Sequence, residues 1–385
     1  MHTLVVTNDF PPRLGGIETF VAELVNRFPP ADVTVLTSTR APFTPAQLAR
    51  ADAALPYQVV RHPARILLPT AEVTRRAAAV ARDVRADAVW FGAAAPLALM
   101  AHDLRRLVEP GRIVATTHGH EVWWAAFPGT RRVLRRIGDG VDVVTYITDY
   151  TGRRIARALP PRARRRMARL APGVNLPSEP QELPMDDAAG SAARAALGLG
   201  GGPAVLCLSR LVRRKGQDQL IRGWPRVAAS HPDATLVIAG TGPDERRLRR
   251  LAAESPAAGS IVLTGAVPTE RMAGLYQAAS VFAMPCRSRL FGLEVEGLGI
   301  VYLEAQAASV PVIVGDSGGA PEAVLPGETG FLVDGRDWRP AAARIIELLD
   351  NPSRAVAMGA AGRQWIERDW GWQSRYETLA RLLHA

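Results

Sequence analysis

Two successive sets of short β-branched runs, each run followed by an amphipathic or Ala-rich helical stretch, limit what this chain can fold into more than any other feature. In the first half the runs are HTLVVT (2–7), DVTVLTS (32–38), YQVVRH (57–62), DAVWFG (87–92), RIVATTH (112–118) and VDVVTYIT (141–148). Segments between them, such as GIETFVAELVNRF (16–28), space their apolar residues as a helix packed on a sheet does. Continuously apolar strands alternating with helices predict a parallel sheet covered on both faces. The pattern restarts with AVLCLSRL (204–211), ATLVIAG (234–240), SIVLTGAV (260–267), VFAMPC (281–286), VPVIVG (310–315) and GFLVDG (330–335). The expected fold is therefore α/β, with two Rossmann-like doubly wound domains facing a central cleft. Such sheets take ligands beyond the carboxyl ends of their strands, so site residues are sought there.

The 385 residues exceed one ordinary core, which agrees with two domains. Residues 1–175 make the first and 204–370 the second. Between them, 176–203 is rich in Pro, Gly, Ala and acids and reads as a linker. Its glycine run follows no strand and is poor evidence for a dinucleotide site. The last stretch, 371–385, holds a helix, WQSRYETLARLLHA, expected to pack back on the first domain.

With 48% hydrophobic and 22% charged residues the composition is globular, not disordered. The longest apolar run, AVWFGAAAPLALMA (88–101), is short for a membrane span and is broken by Gly and Pro. Met1 leads directly into a strand pattern, unlike a signal peptide. Cys207 and Cys286 sit in apolar strands without metal-ligand spacing, which fits a reducing cytoplasm. The formal net charge is +10, so anionic partners are expected. Nearly all the positive charge is Arg, and Lys215 is the one lysine in the chain. A solitary lysine points to a position that needs a compact ammonium, or to chance.

Four strand ends carry chemistry-bearing residues. After the first run, TNDFPPRLGGIETF places Gly15-Gly16 directly before a helix, which suits either phosphate binding by backbone N–H groups or an ordinary βα turn. The fifth run ends in THGHE. Neutral His118 could donate to a sugar hydroxyl or stabilise developing charge. His118 and His120 also raise a metal, yet residues i and i+2 of an extended chain point opposite ways and no second ligand cluster appears. The second domain opens with SRLVRRKGQD, where Arg210 and Lys215 together suit a diphosphate clamp.

The fourth motif is EGLGIVYLE, residues 296–304. At ~1.5 Å rise per residue its two acids are roughly 12 Å apart along the backbone. That spacing disfavours a shared metal and a paired-carboxylate glycosidase. It suits two anchors at opposite ends of an extended ligand. The alternative has Glu296 capping the helix and Glu304 pairing with a surface Arg.

Together these motifs resemble the family 4 retaining glycosyltransferases of the GT-B fold, over essentially the whole chain. Closer still, VVTNDFPPRLGGIETF, VWFGAAAPLALMA and GLEVEGLGIVYLEAQA look like the actinobacterial GDP-mannose-dependent phosphatidylinositol monomannoside mannosyltransferases. The resemblance implies a retaining transfer of mannose from GDP-mannose to a phosphatidylinositol mannoside. Gly16 would approach the donor diphosphate, and Arg210 with Lys215 would bind its charge. His118 would lie beside the transferred mannose. Glu296 would hold a sugar hydroxyl and Glu304 the ribose. Backbone of Gly297, Leu298, Gly299, Ile300 and Val301 would contact sugar and phosphate, and backbone from Gly265 to Val267 would read the base. Attack from the front face, with the leaving phosphate taking the acceptor proton, matches the lack of an obvious nucleophile. The lack of an Asp-x-Asp motif implies no divalent metal and no other cofactor. The loop CRSRLFGLEVEG departs from the family's shorter or Gly-rich version. Glu294 is assigned there to the acceptor side, together with Asn8, Asp9 and Arg13.

The segment RRIARALPPRARRRMARL (153–170) carries eight Arg and no acid, and RRVLRR (131–136) adds four more. Basic residues near an anionic bilayer contribute about 1 kcal/mol each. Peripheral contact with the inner face of the plasma membrane is one expectation, and a solvated basic face is the other. No recognition module for nucleic acid is present, and aromatics are not interleaved with the Arg runs. The function classes carried forward are a mannosyltransferase on a lipid acceptor, a glycosyltransferase with another donor or a soluble acceptor, and a non-catalytic sugar-nucleotide or lipid-binding module.

Overall fold

The computed structural model describes residues 1–384 apart from positions 14, 40, 41, 177–193 and 196–198. The linker expected at 176–203 thus lies mostly outside the described residues. The chain divides into two compact units, Met1–Gly173 with Trp372–Ala385, and Val174–Gly371.

The first unit has seven strands: β1 Thr3–Val6, β2 Val33–Ser38, β3 Gln58–His62, β4 Ala88–Phe91, β5 Arg112–Thr117, β6 Val143–Tyr146 and β7 Ala168–Arg169. They form one parallel sheet in the order β3-β2-β1-β4-β5-β6-β7. In register, Thr3 pairs with Val33 on one side and Ala88 on the other. Side chains alternate across a strand, so each strand feeds two cores. Leu4, Val6, Val89, Phe91 and Ala115 enter one apolar cluster, while Val5, Trp90 and Val114 enter the other. The buried Trp90 indole keeps its polar atom satisfied by donating to Thr116 Oγ1 at 2.9 Å.

On the second of these clusters, the helix Gly16–Val25 contributes Phe20, Val21 and Leu24. Beside it lies the C-terminal helix Trp372–His384, which contributes Trp372, Leu379 and Leu383. Burying such side chains stabilises by roughly 1.5–3 kcal/mol apiece, which is what holds this last helix on the first sheet. The Trp372 ring meets Phe20 edge-on at 6.0 Å. Gly173 permits the close approach, since a Cβ there would sit 2.6 Å from Trp372 Cδ2.

The second unit has β8 Ala204–Leu208, β9 Thr235–Ala239, β10 Ile261–Gly265, β11 Val281–Met284, β12 Val312–Gly315 and β13 Gly330–Val333. Its sheet is again parallel, in the order β10-β9-β8-β11-β12-β13. The strand order reverses at β1 beside β4 in one unit and at β8 beside β11 in the other. Chain leaving neighbouring strands at such a reversal runs to opposite faces of the sheet and opens a crevice between the loops.

The strands are shorter than the apolar runs that announced them. AVLCLSRL stops pairing at Leu208 and SIVLTGAV at Gly265. Burial continues past the strand at Leu211, whose N–H donates to the Thr241 carbonyl at 2.9 Å. The hydrophobic pattern thus outlasts the regular strand, and Arg210 and Val267 fall in loops. Conversely, β7 lies inside an Arg-rich stretch with no strand signal.

Candidate active site

In the second unit, the chain leaving β8 turns through Arg213–Lys215 and then starts the helix Gln217–Ser230. Gly216 makes the turn at φ +80°, and a Cβ there would sit 2.0 Å from the Pro285 carbonyl oxygen, just past β11. Gln217 Nε2 ties the turn down by donating to Ser209 Oγ at 2.9 Å and the Arg210 carbonyl at 3.2 Å. This delivers Lys215 Nζ to 2.8 Å from Glu296 Oε2. Both residues are buried, with relative exposures of 9% and 6%.

Glu296 is itself fixed from behind. Its backbone N–H donates to Ser317 Oγ at 3.3 Å and its carbonyl accepts from the Gly319 N–H at 2.9 Å. Gly299, at φ +82°, starts the helix Ile300–Ala307. Glu296 therefore pairs with lysine and does not cap that helix. Glu304 lies inside the helix, where the Tyr276 hydroxyl donates to its Oε2 at 2.6 Å. Burial raises the Glu304 pKa above the ordinary carboxylate range, and the Tyr276 bond works the other way. Burial and the neighbouring carboxylate push Tyr276 well above the usual phenol value. Neither alternative for the two acids, helix cap or surface Arg pair, is what the structure contains.

Arg210 is exposed and lines an open pocket with Leu208, Gly240, Thr241, Gly242, Ala266 and Val267, at the carboxyl ends of β8, β9 and β10. Gly265 borders it at φ +73°, its carbonyl accepting from the Gly240 N–H at 2.8 Å. Arg210 and Lys215 thus occupy neighbouring positions on one loop without a shared contact. Leu298 and Gly299 are buried, while Gly297, Ile300 and Val301 are half-buried. Glu294 accepts from Arg289 at 2.7 Å and lies 3.9 Å from Arg214, which also comes within 3.8 Å of Glu296.

In the first unit, His118 follows β5, and Glu121 organises the loop. The Glu121 carboxylate accepts from the His118 N–H at 3.0 Å and the Gly119 N–H at 3.1 Å, and lies 3.3 Å from His120 Nε2. His118 Nε2 is 2.6 Å from the Gly92 carbonyl, at the end of β4. A carbonyl can only accept, so Nε2 carries the proton. Burial lowers the His118 pKa below its ordinary value, which keeps the ring neutral at pH 7. Its Nδ1 then offers a lone pair, so His118 can accept a hydrogen bond from a hydroxyl; its Nε2 proton is committed to Gly92.

The loop after β1 is built otherwise. Asn8 spends its amide on Leu67, donating to the carbonyl at 3.0 Å and accepting from the N–H at 2.7 Å. Arg13 lies 3.7 Å from Asp9 and 2.8 Å from Glu18. Glu18 is buried, and its carboxylate folds over the start of the helix Gly16–Val25. A Cβ on Gly15 would sit 2.3 Å from Glu18 Oε2, whereas one on Gly16 would meet nothing within 4 Å. A carboxylate at a helix N-terminus is favourable there for the reason a phosphate would be.

Sequence reasoning missed Tyr276, Ser317 and Glu18. Ser317 had a signal, the DSGG loop after an apolar run, and Glu18 had one in an acid placed in the first helical turn. Tyr276 had none, being 28 residues from its partner on another element. Among the described residues no three His, Cys, Asp or Glu side chains gather as a metal site needs. Among the described residues, too, no helix is long and apolar enough to cross a membrane.

Comparison with known proteins adds three findings. The profile of Glycosyltransferase Family 4 matches residues 14–177, and that of Glycosyl transferases group 1 matches residues 192–365. The chain is 47% identical over 386 residues to the GDP-mannose-dependent alpha-(1-6)-phosphatidylinositol monomannoside mannosyltransferase of Mycobacterium tuberculosis, covering 99% of this chain and 98% of the relative. It is 45% identical over 385 residues to the GDP-mannose-dependent monoacylated alpha-(1-6)-phosphatidylinositol monomannoside mannosyltransferase of Corynebacterium glutamicum, covering 100% and 98%. Among solved structures, Anabaena HepE in complex with UDP aligns with a TM-score of 0.79 at 16% identity over 99% of both chains, a likeness of fold.

Proposed function

We infer the activity of this chain from one premise: it belongs to the family 4 glycosyltransferases, and its two Rossmann-like units are the two halves of that family's GT-B fold. The proposed reaction is transfer of mannose from GDP-mannose to a phosphatidylinositol mannoside, placing a second mannose on the inositol with retained configuration. The observation that carries it is identity of 45–47% along nearly the full length of relatives that bear this one activity.

The second unit's geometry supports a donor site. Lys215 has three N–H donors, and its contact with Glu296 leaves others for diphosphate oxygens. Arg210 adds a second cation from the adjoining pocket. Glu296 is an acceptor for a sugar hydroxyl, and Glu304, oriented by Tyr276, for the ribose. Backbone from Gly297 to Val301 contacts sugar and phosphate, and backbone from Gly265 to Val267 meets the base. Gly16, with open space above it, is the first unit's phosphate contact. Asp9, Arg13 and Glu294 belong to the acceptor side. Asn8 would act there through its clasp on Leu67.

In the transfer step the bond from the anomeric carbon to the leaving phosphate oxygen breaks as the acceptor hydroxyl bonds to that carbon on the same face. The acceptor proton passes to the departing phosphate oxygen. Lys215 and Arg210 stabilise the charge that develops on the diphosphate. Neutral His118 orients the mannose by accepting from one of its hydroxyls. The acceptor is a lipid, so the enzyme works at the cytoplasmic face of the plasma membrane, in peripheral contact with anionic lipid.

An assay of the purified protein with GDP-mannose or a UDP-sugar, against lipid and soluble acceptors, tests the reading. Transfer from GDP-mannose to the phosphatidylinositol mannoside is expected. Transfer confined to a soluble acceptor, or confined to a UDP-sugar, overturns it.

A further inference from the structure

The two Arg-rich segments, apart in sequence, are one surface in the first unit. The helix Pro128–Gly140 buries Leu134, Ile137 and Gly138 and turns Arg131, Arg132, Arg135 and Arg136 outward. Gly138 lets it pack on the second segment, since a Cβ there would lie 2.9 Å from Leu159 Cδ2 and 3.1 Å from Ala163 Cβ. Arg131 then crosses to donate to the Arg157 carbonyl at 2.7 Å. Arg157, Arg162 and Arg165 extend the exposed basic face on that side.

The charges on this helix are not neutralised. Arg132, Arg135 and Arg136 line an open groove against the helix Ala101–Val108 and, among the described residues, have no ion-pair partner. Arg105 and Arg106 across the groove are paired, with Asp142 and Asp103. Asp139 is the acid on the basic helix itself.

On the segment that leads into this helix stand two large aromatic rings in solvent. Trp123 is 41% exposed and Phe127 49%, their centroids 6.3 Å apart. They lie on the segment that leaves His118, five and nine residues further on. Exposed aromatic rings followed within about one turn by guanidinium groups match the two layers of a bilayer interface, acyl boundary and phosphate. Nucleic acid fits less well, because the rings cluster at one end and are not interleaved with the cations to stack successive bases.

We propose that this face docks on an anionic bilayer, with Trp123 and Phe127 at the headgroup level and Arg132, Arg135 and Arg136 on lipid phosphates. It rests on the lipid-acceptor reading above and adds the surface that meets the membrane. Because Trp123 and His118 share one short segment, docking there brings headgroups to the acceptor side of the enzyme.

The test is flotation of the full chain with phosphatidylcholine vesicles, with and without phosphatidylinositol, over a salt series. The wild-type chain is expected to bind the phosphatidylinositol vesicles, with salt weakening it. Replacing Arg132, Arg135 and Arg136 by Gln should cut partition about fivefold per charge and flatten the salt dependence. Trp123→Ala with Phe127→Ala should cut it about tenfold with the salt slope unchanged, a split that misfolding would not produce. Both variants should transfer mannose to detergent-solubilised lipid acceptor at the wild-type rate. Vesicle binding unchanged in either variant, or an RNA oligomer outcompeting the vesicles, overturns the docking face even when lipid transfer is intact. Salt-sensitive vesicle binding without any transfer to lipid supports the face while removing the proposed acceptor.

Discussion

The two units share a topology and differ in how they hold their functional groups. Each has a parallel sheet whose order reverses beside its first strand. The second unit fills its reversal point with a buried ion pair, Lys215 with Glu296, fastened by Gln217 and Ser317. The first unit fills its own with a neutral imidazole hung on the Gly92 carbonyl and a carboxylate, Glu121, that binds backbone. Charge in the second unit is paired in advance and ready to be re-shared with an anionic ligand. In the first unit Asn8 and Glu121 are spent on loop structure, and His118 keeps a lone pair on Nδ1. That division suits a second unit that meets a diphosphate and a first unit that meets sugar hydroxyls.

The strongest way to break this contrast is at the ion pair. Lys215→Met should lower kcat/KM about a thousandfold, since a buried cation on a leaving diphosphate acts in low dielectric. It should also cost about 3 kcal/mol of stability, because it leaves the buried Glu296 carboxylate facing only the more distant, half-buried Arg214 at 3.8 Å. Adding Glu296→Gln should recover much of that stability and none of the activity. Denaturant melts and initial rates on the single and double variants check both parts; a lysine variant that turns over normally removes the clamp.

Next comes Tyr276. Tyr276→Phe deletes a hydrogen bond to a carboxylate, of about 2 kcal/mol. The KM for GDP-mannose should rise about tenfold with kcat within about twofold, a split that a general loss of fold would not give. An unchanged KM would separate Glu304 from the donor.

A smaller effect is expected at Glu18. Glu18→Gln takes a negative charge off the start of the helix Gly16–Val25 and releases Arg13. A charge at a helix end is worth about 0.3–1 kcal/mol, so GDP-mannose should bind a few-fold more tightly. Equal affinity by calorimetry would mean that Gly16 does not face the diphosphate.

The last is a pH effect on the stability of the first unit. The folded His118 resists protonation, whereas in the unfolded chain it titrates near 6.5. Below that pH the unfolded state binds the extra proton, so stability falls with increasing acid by at most about 1.4 kcal/mol per pH unit, until His118 titrates in the fold as well. His118→Asn should flatten this slope in denaturant melts between pH 6.5 and 5. A slope that survives the substitution assigns it to another group.

What the sequence by itself determined was the repeated alternation of strands and helices, the parallel sheets and the identity of the second unit's motif residues. Those follow from local periodicity and from residue types confined to strand ends. Lys215 stood out because it has no other lysine beside it, and Glu296 because glycines follow it. Tertiary structure alone decided which acid meets which base. Lys215 with Glu296 and Tyr276 with Glu304 each depend on how different elements converge, and no local pattern encodes that distance. It decided as well that the imidazole of His118 offers a lone pair on Nδ1, because its Nε2–H donates to the Gly92 carbonyl at the end of the neighbouring strand. Two Arg runs became one face for the same reason: Gly138 has no side chain, so two helices could close.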